Sequence, residues 1–122
     1  MLTYDLNCLA QCLENIKGSS NGTESIIYKF PGEGRMMLTY TTIVNFASDA
    51  SLRSQVGKES TRSIDMINDA LKTVKKTYKE ASGKALKCKE VSTDDSIEVI
   101  SVTFHSPKKV AYYRRFVTYE IG

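Results

Sequence analysis

Apolar residues at the start of the chain advance by fours and threes: Leu2, Leu6, Leu9, Leu13 and Ile16. That spacing places them on one stripe of an amphipathic helix. Gly18 ends the stripe, and "GSSNGT" reads as a turn-rich loop. The period then shortens to two. In "ESIIYKF", Ile26, Tyr28 and Phe30 share one face, with Ser25 and Lys29 on the other. "PGEG" follows as a turn, and "RMMLTYTTIVNF" (35–46) repeats the alternation through Met36, Leu38, Tyr40, Val44 and Phe46. β-Branched and aromatic residues dominate there, so the two segments predict a hairpin.

Residues 47–60, "ASDASLRSQVGKES", are polar and show no sustained period. They read as a long loop, and a loop of that length is a candidate contact arm. A second helical stripe follows in Ile64, Ile67, Leu71, Val74 and Tyr78, with Ser60 or Thr61 placed to cap its start and Gly83 to end it. Three strands complete the reading: "KALKCKEV", "SIEVISVTFH" and "VAYYRRFVTYEI", with turns at "STDD" and "HSPKK". The predicted order is α-β-β-α-β-β-β. Strands grouped as hairpins imply an α+β domain, an antiparallel sheet packed by two amphipathic helices, spanning 1–122.

With 122 residues, the chain can bury about two-thirds of its unfolded surface in a single core. A hydrophobic fraction of 41% and a charged fraction of 25% are those of a globular domain. The net charge of +3 is too small to diagnose a nucleic-acid binder by itself. Cys8, Cys12 and Cys88 form no CxxC pair, which disfavours a zinc site or a disulfide framework and fits a reducing compartment. Cys8 and Cys12, four apart on one helix, could share a ligand but read first as small apolar residues. Asn21-Gly22-Thr23 matches a glycosylation sequon, yet "MLTYDLNCLA" lacks the basic start and apolar run of a signal peptide. No stretch approaches the ~18 apolar residues of a membrane span.

Catalytic signatures are weak. His105, the one histidine, sits beside Ser106 before a predicted turn. Asp94, Asp95 and Glu98 could bind a cation, but read better as turn residues using backbone hydrogen bonds. "PGEGR" and "GKES" lack the further glycines of dinucleotide and phosphate-binding loops. The expectation is a protein that is not an enzyme, with no cofactor and no metal.

The basic and aromatic residues carry more. Lys72, Lys75, Lys76, Lys79, Lys84, Lys87 and Lys89 fall within eighteen residues that contain one acid, Glu80. Lys108, Lys109, Arg114 and Arg115 lie beside Tyr112 and Tyr113. Lysines and arginines attract phosphates and rings stack on bases, so one reading is an RNA- or single-stranded-DNA-binding module using Lys72, Lys75, Lys76, Lys79, Arg114 and Arg115. The blander reading is a solvated helix face and protected strand edges. In 110–121, however, both faces carry apolar side chains, Tyr113 and Val117 on one and Tyr112 and Phe116 on the other. A strand of that kind is covered on both sides or buried by another subunit. The leading reading is therefore a homo-oligomeric assembly subunit, with Leu52, Arg53, Tyr112, Arg114, Arg115 and Phe116 at its contacts.

The order of parts gives a resemblance. "LNCLAQCLENI", then "ESIIYKF" and "RMMLTYTTIVNF", an irregular stretch, "SIDMINDALKTV" and a closing "YYRRFVTYEIG" together resemble the tail-terminator (tail-completion) proteins of long-tailed bacteriophages. The resemblance covers most of the chain and rests on topology rather than an invariant motif. It implies a ring, usually hexameric, that caps the tail tube and meets head-completion proteins. A related possibility is another virion component, such as a baseplate or neck subunit; either implies assembly in the host cytoplasm and final residence in the virion. Its partners would be copies of itself and other assembly proteins.

Overall fold

A computed structural model describes residues 4–16, 24–101 and 109–122. Its elements are α1 (Leu6–Ile16), β1 (Glu24–Lys29), β2 (Arg35–Phe46), α2 (Asp49–Ser82), β3 (Cys88–Ser101) and β4 (Lys109–Ile121). The four strands form one antiparallel sheet in the order β1-β2-β4-β3. The α+β class and the two helices agree with the sequence reading, with one strand fewer after α2.

The β1–β2 hairpin turns through "PGEG" as its residues dictate. The Arg35 amide donates to the Gly32 carbonyl at 3.1 Å, and Gly34 adopts φ 72°, a left-handed conformation that costs a side-chain-bearing residue more. Alternation on β2 puts Met36, Leu38, Tyr40, Thr42, Val44 and Phe46 on one buried face. The matching face of β4 holds Ala111, Tyr113, Val117, Tyr119 and Ile121. Both helices pack there and share one apolar core with the sheet. α1 contributes Leu9, Cys12, Leu13 and Ile16, while Leu6 is exposed and Leu2 lies outside the described residues. Asp5 caps α1, its Oδ1 accepting from the Cys8 amide at 3.1 Å, and its own amide donates to the Tyr78 hydroxyl at 2.8 Å. That bond pins the start of α1 to α2.

The expected loop over 47–60 is overturned, and with it the cap at Ser60 or Thr61. These residues are the first turns of α2, a helix of 34 residues. Ser48 is the cap: its side chain accepts from the Ser51 amide, and the Ser51 hydroxyl accepts from the Ser48 amide. Leu52 and Val56 then pack against the core. Polar tethers hold the rest, with the Tyr40 hydroxyl donating to Glu59 at 3.0 Å and Arg62 pairing with Glu24 of β1 at 2.6 Å. Ser48→Ala removes the cap, and its expected cost is about 1 kcal/mol, read as a lower denaturation midpoint.

The buried stripe of α2 is Ser63, Ile67, Ala70, Val74 and Tyr78. Small residues at 63 and 70 let the helix approach the sheet, which rotates Ile64 into solvent and leaves Leu71 half-buried. Gly83, at φ 75°, ends the helix.

The expected turn at "STDD" is overturned too. Residues 88–101 form one strand, so "KALKCKEV" and "SIEVISVTFH" do not make separate strands; its irregularity is a bulge between Glu90 and Ser92. The length of β4 explains this, because every position from Ile121 to Lys109 offers a partner along β3. Asp94 sits opposite Phe116, and Asp95 opposite Arg115, where it accepts from the Tyr113 hydroxyl at 3.4 Å. The aspartates serve pairing rather than reversal.

Candidate interaction surface

The sheet has one face under the helices and one open face. On the open face, pairing aligns Ile27, Thr39, Phe116 and Asp94 in one row, and Ile43, Tyr112 and Glu98 in another. Between them runs Ser25, Thr41, Arg114 and Ser96. Arg114 is held down: it pairs with Glu98 at 3.0 Å, and its guanidinium lies over the Tyr112 ring, 5.1 Å from the centroid. Ile27 and Ile43 are exposed, and Tyr112 and Phe116 half-buried. This is an apolar surface with a polar stripe through it.

A second unusual region is β3. Its helix-side residues Ile97 and Val99 are 49% and 54% exposed, although their partners Tyr113 and Ala111 are fully buried. The helix layer therefore stops between β4 and β3. What remains is a ledge one strand wide, with solvent on both faces. Among the described residues, no strand pairs with its outer edge. Glu90, Asp94, Asp95 and Glu98 make that edge acidic, a common guard against unspecific strand pairing.

The residues expected to form one interface divide between the two sides. Tyr112, Arg114 and Phe116 belong to the open face. Arg115 lies on the helix side between Tyr40 and Asp95, while Leu52 and Arg53 belong to α2. The same division separates the residues of the nucleic-acid reading. Lys72, Lys75, Lys76 and Lys79 form one exposed stripe on α2, at helical spacings of three and four. Arg114 is across the sheet from them, so the six do not line one groove. The stripe itself is intact.

Two of the thiols, Cys8 and Cys88, are shifted away from the thiolate form. Burial pushes the Cys88 thiol up, opposed by the nearby charge of Lys75. Cys8 is also raised, by desolvation first and then by Cys12. Cys8, Cys12 and Cys88 are free thiols. Among the described residues no cluster of three or more His, Cys, Asp or Glu is placed to hold a metal. His105 and the sequon at 21–23 lie outside the described residues. Two open depressions lie on the surface, one of about 280 Å³ lined by Lys87, Lys89 and Glu120 around Cys88 and Ile121, the other of about 300 Å³ between α1, β1 and α2, lined by Asn15, Asp69 and Thr73 beside Ile16 and Ile26. No described helix is long and apolar enough to cross a membrane.

The sequence could have revealed the ledge in part: Ile97 and Val99 alternate with Ser96 and Glu98, a sign of one apolar face on a strand. Nothing in it says that the helices stop short of that face. No family model, curated protein or solved structure matches the chain.

Proposed function

We propose that the protein is a non-enzymatic assembly subunit that works as a homo-oligomer, with ring-forming virion components of the tail-terminator kind as the closest functional model. The observation that carries the proposal is the sheet's incomplete cover: an open face bearing Ile27, Ile43, Tyr112 and Phe116, and an edge strand with Ile97 and Val99 in solvent. Such surface is buried favourably, at roughly 25 cal/mol per Å² of apolar area. Exposed sheet of this kind marks contact sites in soluble proteins. The order α1, hairpin, α2 and closing strand β4 keeps the parts on which the resemblance to tail terminators rests, except the irregular stretch, which is the start of α2. Light scattering over a concentration series tests the proposal. The expected mass is a multiple of the 13.6 kDa chain; a strict monomer at high concentration would sink it.

A further inference from the structure

We infer that the lysine stripe of α2 in one copy seats on the β3 ledge of a second copy; this rests on the homo-oligomer proposed above and names its contact. Three observations meet at this point: shape, charge and apolar exposure.

The shape is a step. α2 packs over β2 and β4, and β3 continues beyond it at the level of the sheet. A helix is a ridge about 10 Å across. The ledge beside it is open on the same side, so a ridge from another molecule can occupy it. Ile64, 42% exposed, lies on the same line of α2 as Lys75, eleven positions or three turns before it.

Charge selects the occupant. Of the four carboxylates of β3, Glu90 and Asp95 share the helix-side face with Ile97 and Val99, while Asp94 and Glu98 stand on the open face with Lys89. A second β3 paired edge to edge would bring carboxylates close to carboxylates, which destabilises adjacent strands. The α2 stripe is the opposite: Lys72, Lys75, Lys76 and Lys79 are all exposed. Along the axis the stripe spans about 10 Å, and Glu90 to Asp95 on the ledge span about 16 Å, a gap that the long lysine side chains can bridge. Ile97 and Val99 on the ledge and Ile64 on the ridge give that contact an apolar centre with a charged rim, the usual anatomy of a protein interface. A basic patch joined to a different, acidic patch is also what a ring requires of each subunit.

The test is a charge exchange. One variant carries Lys72→Glu and Lys76→Glu; the other carries Glu90→Lys and Thr93→Lys. All four positions are exposed, so both variants should keep the far-ultraviolet circular dichroism of the parent. Each variant alone is expected to lose the oligomeric mass in light scattering. An equimolar mixture is expected to regain it, because ridge and ledge are again of opposite charge. Raising the salt should weaken the parent assembly and the mixture alike. If either variant keeps the parent mass, or the mixture stays dissociated, this contact is wrong while the homo-oligomer stands. A monomeric parent would remove the homo-oligomer itself. A monomeric parent that retains single-stranded RNA, and loses it on Lys72→Glu and Lys76→Glu, would assign the stripe to nucleic acid instead.

Discussion

Leu9→Asp should leave the protein unfolded at room temperature. Leu9 is 0% exposed, in the core where α1 meets α2 and the sheet. Aspartate there either carries its charge into an apolar site or takes up a proton to avoid doing so. Either way the cost is several kcal/mol, comparable with the whole stability of about 5–15 kcal/mol for a domain. Leu6, one turn earlier on the same helix, is exposed, so Leu6→Asp serves as the control and should shift the denaturation midpoint only slightly. Leu71→Asp belongs between them, because its side chain is half-buried rather than enclosed. Circular dichroism and urea titration give the ranking. Equal midpoints for Leu9→Asp and Leu6→Asp would contradict the placement of α1.

Stability should fall steeply between about pH 10 and pH 12. Tyr40 and Tyr119 are both pushed up to about 12, in each case first by burial. The neighbouring carboxylates add to it, Glu59 accepting from Tyr40 and Glu90 repelling a charge on Tyr119. A tyrosine with a raised folded-state pKa favours the fold while it is neutral. Its contribution is therefore complete below the unfolded value of about 10 and is lost as pH climbs through the folded value. Between those limits each group weakens the fold by up to about 1.4 kcal/mol per pH unit. The variant that isolates the effect is Tyr40→Phe. It loses the bond to Glu59 at neutral pH but should show a shallower alkaline decline than the parent. Parallel declines in the two proteins would contradict the placement of Tyr40.

The elements that could be read from residues alone are those whose period is clean. β2 alternates without a break except for Thr42, which is itself buried, and α1 keeps its stripe through Leu9, Leu13 and Ile16. The first turns of α2 hid because their inward positions are sparse: Leu52 and Val56, then Ser63, a serine whose hydroxyl is satisfied within the helix by donating to the Ser60 carbonyl at 2.7 Å. What makes them helical lies partly elsewhere in the chain, in Tyr40 and Glu24, and no local window contains it. Asp94-Asp95 misled for the same reason. Aspartates favour turns by local hydrogen bonds, but here pairing along β4 outweighs them. The site was legible only as composition. Lysines in a stripe and acids in a run were visible, whereas their position on either side of a step depends on where the helix layer ends.

β4 is the last strand in the order of the chain and an inner strand of the sheet. Arg35 pairs with Glu120 and Cys88 with Ile121, so β2 and β3 are joined only through it. During synthesis, therefore, the β1–β2 hairpin, both helices and β3 leave the ribosome before the strand that unites them. Until β4 emerges, the inner edges of β2 and β3 have no strand partner, and the core that the helices form with β2 lacks Tyr113, Val117, Tyr119 and Ile121. The sheet must then close in a late step between residues far apart in sequence, which is slow compared with local pairing. A nascent chain arrested with β4 still inside the exit tunnel should be digested readily by protease, and one released past it should resist. In the cell, that interval before closure is when the chain is most exposed to chaperones and to aggregation.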